Sequence, residues 1–263
     1  MKFDLSLSPF DVSISDLIAA ARLAEFEGFD AVWTYDHISA VSGNAHTVLD
    51  PWVVLSAIAA STERIGLGPL VLNATARHPA HIAVAAASLQ ELSAGRLILG
   101  MGAGAGPDRY GAELAMVGLP LRSAAERRER TEEAVNVVRA LWRGKPFLEG
   151  QHHPLTDARG FRQPNPEPKI VVGANGPKMA ALAGRVADAV NLHWFEDDLE
   201  GLADIARRAS GDPHFEVTVE APLTPEWLDG AGRSRIERLG ASRIMYQWNR
   251  GLGLDAIRKA SIR

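Results

Sequence analysis

The chain has no cysteine. Disulfides, thiolate metal sites and cysteine nucleophiles are therefore excluded. It has no stretch of eighteen or more uncharged apolar residues, so no membrane-spanning helix is expected. It has no surplus of basic charge: 28 Lys and Arg stand against 32 Asp and Glu, a net charge of −4. That balance offers no electrostatic footprint for nucleic acid or anionic lipid. The segment from Met1 to Pro9 carries Asp4 and serines instead of an apolar core, and reads as a first strand, not a secretory leader. A soluble cytoplasmic protein with no nucleic-acid or membrane partner is the expectation. What the chain does have is apolar bulk. Its 263 residues are 46% hydrophobic, enough for one large core, and the whole of 1–263 is expected to form a single domain.

Short apolar runs alternate with longer segments of helical period. Strands are expected at Phe3–Ser8, Ala31–Tyr35, Ile65–Leu72, Arg96–Gly100, Lys169–Gly173, Ala189–His193, Phe215–Ala221 and Arg243–Gln247. Leu97-Ile98-Leu99 and Ile170-Val171-Val172 are continuous in apolar residues, as strands buried on both faces should be. Helix punctuation falls between the strands: Gly28 past a helix end, Asp50-Pro51, His78-Pro79 and Gly176-Pro177 at helix starts. Eight strand–helix units predict an α/β fold, a (β/α)8 TIM barrel, in preference to an open doubly wound sheet. The segment 144–168, rich in Gly, Pro and His, breaks the alternation. It is expected to form an inserted loop and hairpin over the barrel mouth.

In such a barrel the active site lies at the C-terminal ends of the strands. Strand two ends in Asp36-His37, an acid beside an imidazole, suited to general acid–base work. The plainer reading is a strand-end Asp capping a loop. After strand three, Asn73 and Thr75 have groups to hydrogen-bond a heteroaromatic ring; both are also turn formers. Strand four runs into Gly102-Ala103-Gly104, where alternate glycines suit a flat ligand or a close backbone approach. The spacing of the nicotinamide-dinucleotide fingerprint is not met. Strand five ends in Gly173-Ala174-Asn175-Gly176-Pro177-Lys178. A glycine-rich turn entering a helix N-terminus, with a lysine in the first turn, suits an anion; the plainer reading is an ordinary tight turn. No metal is expected: adjacent His152 and His153 would point to opposite faces of a strand.

Four motifs in order resemble the bacterial luciferase-like family of flavin and deazaflavin enzymes. They are Asp30-Ala31-Val32-Trp33 running to Asp36-His37; Arg77-His78-Pro79; Ser93-Ala94-Gly95-Arg96 into Gly100-Met101-Gly102-Ala103-Gly104; and Gly173 to Pro177 with Gly184-Arg185-Val186-Ala187-Asp188. The agreement runs to about Asn191 and is slight in the last third. The resemblance implies a luciferase-like TIM barrel and an F420-dependent oxidoreductase passing hydride to or from an unidentified small organic substrate. The alternative it leaves is an FMN-dependent monooxygenase using reduced FMN and oxygen. It implies His37 as the proton donor or acceptor, oriented by Asp36. The cofactor ring would lie near His37, Asn73, Thr75 and residues 102–104, with its phosphate on the turn from Gly173 to Lys178. It also implies a non-prolyl cis peptide between Pro69 and Leu72, and a homodimer by analogy. A second acid from the loop after strand four is not expected, because Ala105-Gly106 stand there with only Asp108 nearby. The substrate pocket is expected to draw on Trp33, Tyr35, the 144–168 segment, Trp194 and Trp248.

Overall fold

The computed structural model describes residues 1–104 and 111–260. Nine parallel strands, β1 (Lys2–Leu7), β2 (Ala31–Thr34), β3 (Gly66–Pro69), β4 (Leu72–Asn73), β5 (Ile98–Gly102), β6 (Lys169–Gly173), β7 (Ala189–His193), β8 (Glu216–Pro222) and β9 (Arg243–Trp248), form one sheet in the order β3-β2-β1-β9-β8-β7-β6-β5-β4. β3 and β4 are the two halves of a single barrel position. The peptide Leu70–Val71 between them is cis, within the interval expected. β3 reaches β5 through a parallel bridge from Leu67 to Leu97, so eight positions close the ring, the count the alternating pattern predicts.

Helices α1 (Ile14–Glu27), α2 (Pro51–Ser61), α3 (Pro79–Leu92), α4 (Gly111–Met116), α5 (Ala124–Trp142), α6 (Pro177–Val186), α7 (Leu199–Ser210), α8 (Pro225–Leu228), α9 (Ala231–Arg238) and α10 (Gly253–Lys259) lie between and after the strands. Their ends follow local chemistry. Asp50 caps α2 by accepting from the N–H groups of Trp52 and Val53, with Pro51 at the first position. Gly28 ends α1 at φ 89°, a left-handed conformation that costs glycine little. Among the described residues no helix is long and apolar enough to cross a membrane.

Alternation along each strand sends every second side chain into the barrel. The inward residues stack in layers. At the N-terminal end, Asp4 of β1 and Arg243 of β9 form a buried ion pair, with the Trp33 indole donating to Asp4 at 2.7 Å. Burial pushes the Asp4 carboxyl up to about 6, against the opposing pull of Arg243 and Trp33. In the middle, Asn191 donates to Thr218 at 3.0 Å beside Met245. At the C-terminal end lie Ser6, Tyr35, His193, Glu220 and Gln247. Trp33 and Trp248 are both buried, so they serve the core and not a substrate pocket.

The glycines on β3 and β5 mark a close backbone approach. A Cβ at Gly68 would strike the carbonyl of Ile98, one at Gly100 the carbonyl of Pro69, and one at Gly102 the side chain of Val71. The segment 144–168 does contain a hairpin, bridged antiparallel from Leu148 to Leu155. It does not cover the mouth. As a helix-to-strand connection it leaves from the opposite end of the barrel and climbs the outer wall. There the Glu133 carboxylate of α5 accepts the backbone N–H groups of His152 and His153, and the His153 ring lies 5.1 Å from His78 at the start of α3.

Candidate active site

A cavity of about 720 Å³ opens at the C-terminal ends of the strands, within the size range of small-molecule sites. His37 and the turn Gly173–Lys178 both line it. Asp36, Asn73, Gly102, Ala103 and Gly104 line it as well, while Thr75 and Ala174 are absent from its wall. Thr75 instead closes an Asx turn: its N–H and hydroxyl both donate to Asn73 Oδ1, at 3.0 and 2.8 Å. Ala174 is buried behind the turn. Trp194 packs on Trp227 outside the cavity.

Asp36 is held from the side of α3. Its carboxylate takes a two-point grip from Arg77, at 2.9 and 2.8 Å, and the backbone N–H of Asn73 at 2.9 Å. Arg77 also donates to Asp50 at 2.9 Å. This network pins the end of β2 to the start of α3. It also raises the Arg77 guanidinium above its ordinary value, chiefly through the Asp36 hydrogen bonds.

The acid that meets His37 is Glu113 on α4. Its Oε1 lies 3.3 Å from His37 Nδ1. The same carboxylate accepts the backbone N–H groups of Ile38 and Ser39 at 3.2 and 3.4 Å. Glu113 is buried, and the His37 side chain keeps 15% of its exposure toward the cavity. Phe10 packs against the imidazole with ring centroids 5.1 Å apart. A second acid therefore does come from the chain beyond the strand-four glycines, a few residues past Asp108. Asp108 itself lies outside the described residues, as do Ala105 and Gly106. Sequence reasoning passed over Glu113 because no periodic pattern announces a six-residue helix. Its one signal was an acid in an irregular loop leaving a strand's C-terminal end.

Across the mouth is a second histidine–carboxylate pair that the sequence reading also missed. His193 and Glu220 are register partners on β7 and β8, and His193 Nδ1 lies 3.0 Å from Glu220 Oε2 at ion-pair distance. The ring is turned so that the contact falls outside hydrogen-bond geometry. Glu220 Oε1 accepts the hydroxyls of Tyr35 and Ser6 at 2.7 and 2.8 Å. Burial alone would push the Glu220 carboxyl up; the contacts from His193, Tyr35 and Ser6 outweigh it and hold the group below its ordinary value.

Toward α6 the cavity is cationic. Gly176 caps that helix without any side-chain hydrogen bond, and a Cβ there would meet nothing within 4 Å. Free N–H groups and the helix dipole face this space, with Lys178 in the first turn. Arg127 and Arg128 of α5 line the same cavity. Arg127 Nη1 donates to the carbonyl of Gly104 at 2.9 Å, and its buried Nε has no partner among the described residues. Burial first, then Arg128, holds the Arg127 guanidinium below its ordinary value. A half-buried cation with an unmade hydrogen bond at its Nε, on the wall of a cavity that an uncapped helix also lines, fits an anionic ligand. Among the described residues no group of three or more His, Cys, Asp or Glu is arranged to hold a metal ion.

With the fold and the mouth described, comparison with known proteins gives the family. Residues 2–224 match the luciferase-like monooxygenase family, and the chain belongs to it. It is 40% identical over 178 residues to the F420-dependent glucose-6-phosphate dehydrogenase of Beutenbergia cavernae, a match covering 66% of this chain and 51% of that protein. The chain thus spans about half the length of that relative. It is 34% identical over 252 residues to the 5,10-methylenetetrahydromethanopterin reductase of Archaeoglobus fulgidus, covering 93% and 69%. In fold it resembles an F420-dependent secondary alcohol dehydrogenase solved with an F420–acetone adduct. The TM-score is 0.80 at 19% identity, covering 100% of this chain and 99% of that one.

Proposed function

We propose that this chain is an F420-dependent oxidoreductase that moves a hydride between the deazaflavin and a small organic substrate. The observation that carries the reading is that a carboxylate-backed imidazole and an uncapped, cation-flanked helix N-terminus share one cavity. The relatives named for F420 support the choice of cofactor. The turn Gly173–Lys178, with Arg127 and Arg128, would hold the cofactor phosphate, and the wall formed by Val71, Asn73 and residues 102–104 would face its ring. Bound there, the deazaflavin supplies a two-electron hydride acceptor or donor.

The chain's own part is proton transfer and exclusion of water. Glu113 holds the His37 tautomer that carries its proton on Nδ1, which assigns proton exchange with the substrate heteroatom to Nε2. Asp36 acts indirectly, by fixing the strand end through Arg77. Phe10 and Leu70 shield the reacting region from water.

Absorbance titration of the protein with F420 and with FMN tests the cofactor. Micromolar or tighter F420 binding with no FMN binding is expected; binding of neither cofactor overturns the reading.

A further inference from the structure

β7 stands four positions from β2 around the eight-position ring, so His193 faces His37 across the mouth. Its surroundings are built. Glu220 is fully buried behind it, with both carboxylate oxygens engaged by Ser6, Tyr35 and His193 itself. Tyr35 links the two pairs: its hydroxyl is on Glu220 while its ring meets the His37 ring edge-on at 6.5 Å. Phe195 stacks on the His193 ring, with centroids 5.1 Å apart and planes within 9°. The imidazole is thus held in place, its Nδ1 3.0 Å from Glu220 and 28% of its side chain exposed. An imidazole clamped this way on a cavity wall orients whatever enters.

Resting on the reading above, we propose that His193, with its Nδ1 proton toward Glu220, positions the substrate by accepting at Nε2 a hydrogen bond from a neutral hydroxyl group. Glu220 acts through it as a positioning residue. The class of oxygen follows from charge. Glu113 and Glu220 lie behind the two imidazoles, and Glu196 adds a third carboxylate near His193. An anionic group here would face three acids, while Arg127, Arg128 and Lys178 lie toward the cofactor turn.

The test uses F420-loaded protein with 2-propanol, cyclohexanol, glucose and glucose 6-phosphate as probes. Binding is read from the absorbance of bound F420, and turnover from its loss. A neutral probe is expected to bind and react. His193→Phe keeps the ring on Phe195 but has no accepting nitrogen; it should raise KM about tenfold or more with kcat, F420 affinity and Tm little changed. His193→Gln, whose amide oxygen retains an acceptor, should recover most of the loss, and Glu220→Gln should fall between. A packing role predicts the reverse order, Phe tolerated and Gln harmful, and that result overturns the proposal. So does tenfold tighter binding of glucose 6-phosphate than of glucose, or binding of no probe by protein that has taken up F420. Failure of the wild-type chain to bind F420 is a separate outcome, which removes the cofactor reading and this inference with it.

Discussion

The two ends of the barrel interior use the same residue types to opposite purpose. At the N-terminal end, Asp4, Arg243 and the Trp33 indole are sealed from water and bonded to one another. At the C-terminal end, His37 with Glu113 and His193 with Glu220 each present a buried acid and an imidazole edge to a cavity. A polar group inside a barrel therefore speaks for function only once its layer is known. One pair holds the staves together; the others hold proton-bearing atoms still.

That contrast can be broken by mutation. The largest effect is expected at the mouth. His37→Ala should lower kcat about 10²–10⁴-fold while F420 affinity by titration and Tm stay within error; a variant that keeps its activity removes the proton-transfer role. At the floor, Arg243→Met leaves the Asp4 carboxylate buried and unpaired. It should cost about 3–5 kcal/mol in urea melts at neutral pH. The sign of its pH dependence follows from Asp4. Burial already holds that carboxyl at about 6, above its ordinary 3.8. The stability this group contributes is complete below about 4 and is lost as the pH rises through 6. The penalty in Arg243→Met should therefore shrink toward pH 4, and a penalty that grows on acidification contradicts the assignment. Glu113→Gln should reduce kcat about tenfold, because the backbone N–H groups of Ile38 and Ser39 keep an acceptor while the imidazole loses its charged partner. Smallest is Glu133→Gln on the outer wall, where a loss of about 1 kcal/mol in stability is expected with kcat/KM unchanged.

Much of the frame was legible in the sequence. Eight buried strands show as eight short apolar runs, and Gly28, Asp50-Pro51 and His78-Pro79 mark helix ends where the structure has them. The turn Gly173–Lys178 at the cavity wall was legible too, since it is local. The histidine–carboxylate pairs were not. Asp36 is adjacent to His37 in sequence, yet its oxygens are drawn to Arg77, 41 residues away, while the acid that meets His37 is 76 residues away. His193 and Glu220 meet only because β7 and β8 pair in that register. The glycines at 100 and 102 gave a true signal with two readings. At Gly100 the contact with the Pro69 carbonyl is close backbone packing, while Gly102 meets Val71 and also lines the cavity.

The hairpin within 144–168 has a consequence of its own. Clasped by Glu133 and touching α3 only from outside, it works as a buttress for the rim of the mouth while occupying none of it. Chains that lengthen, shorten or exchange this segment should shift their melting temperature and keep their choice of substrate.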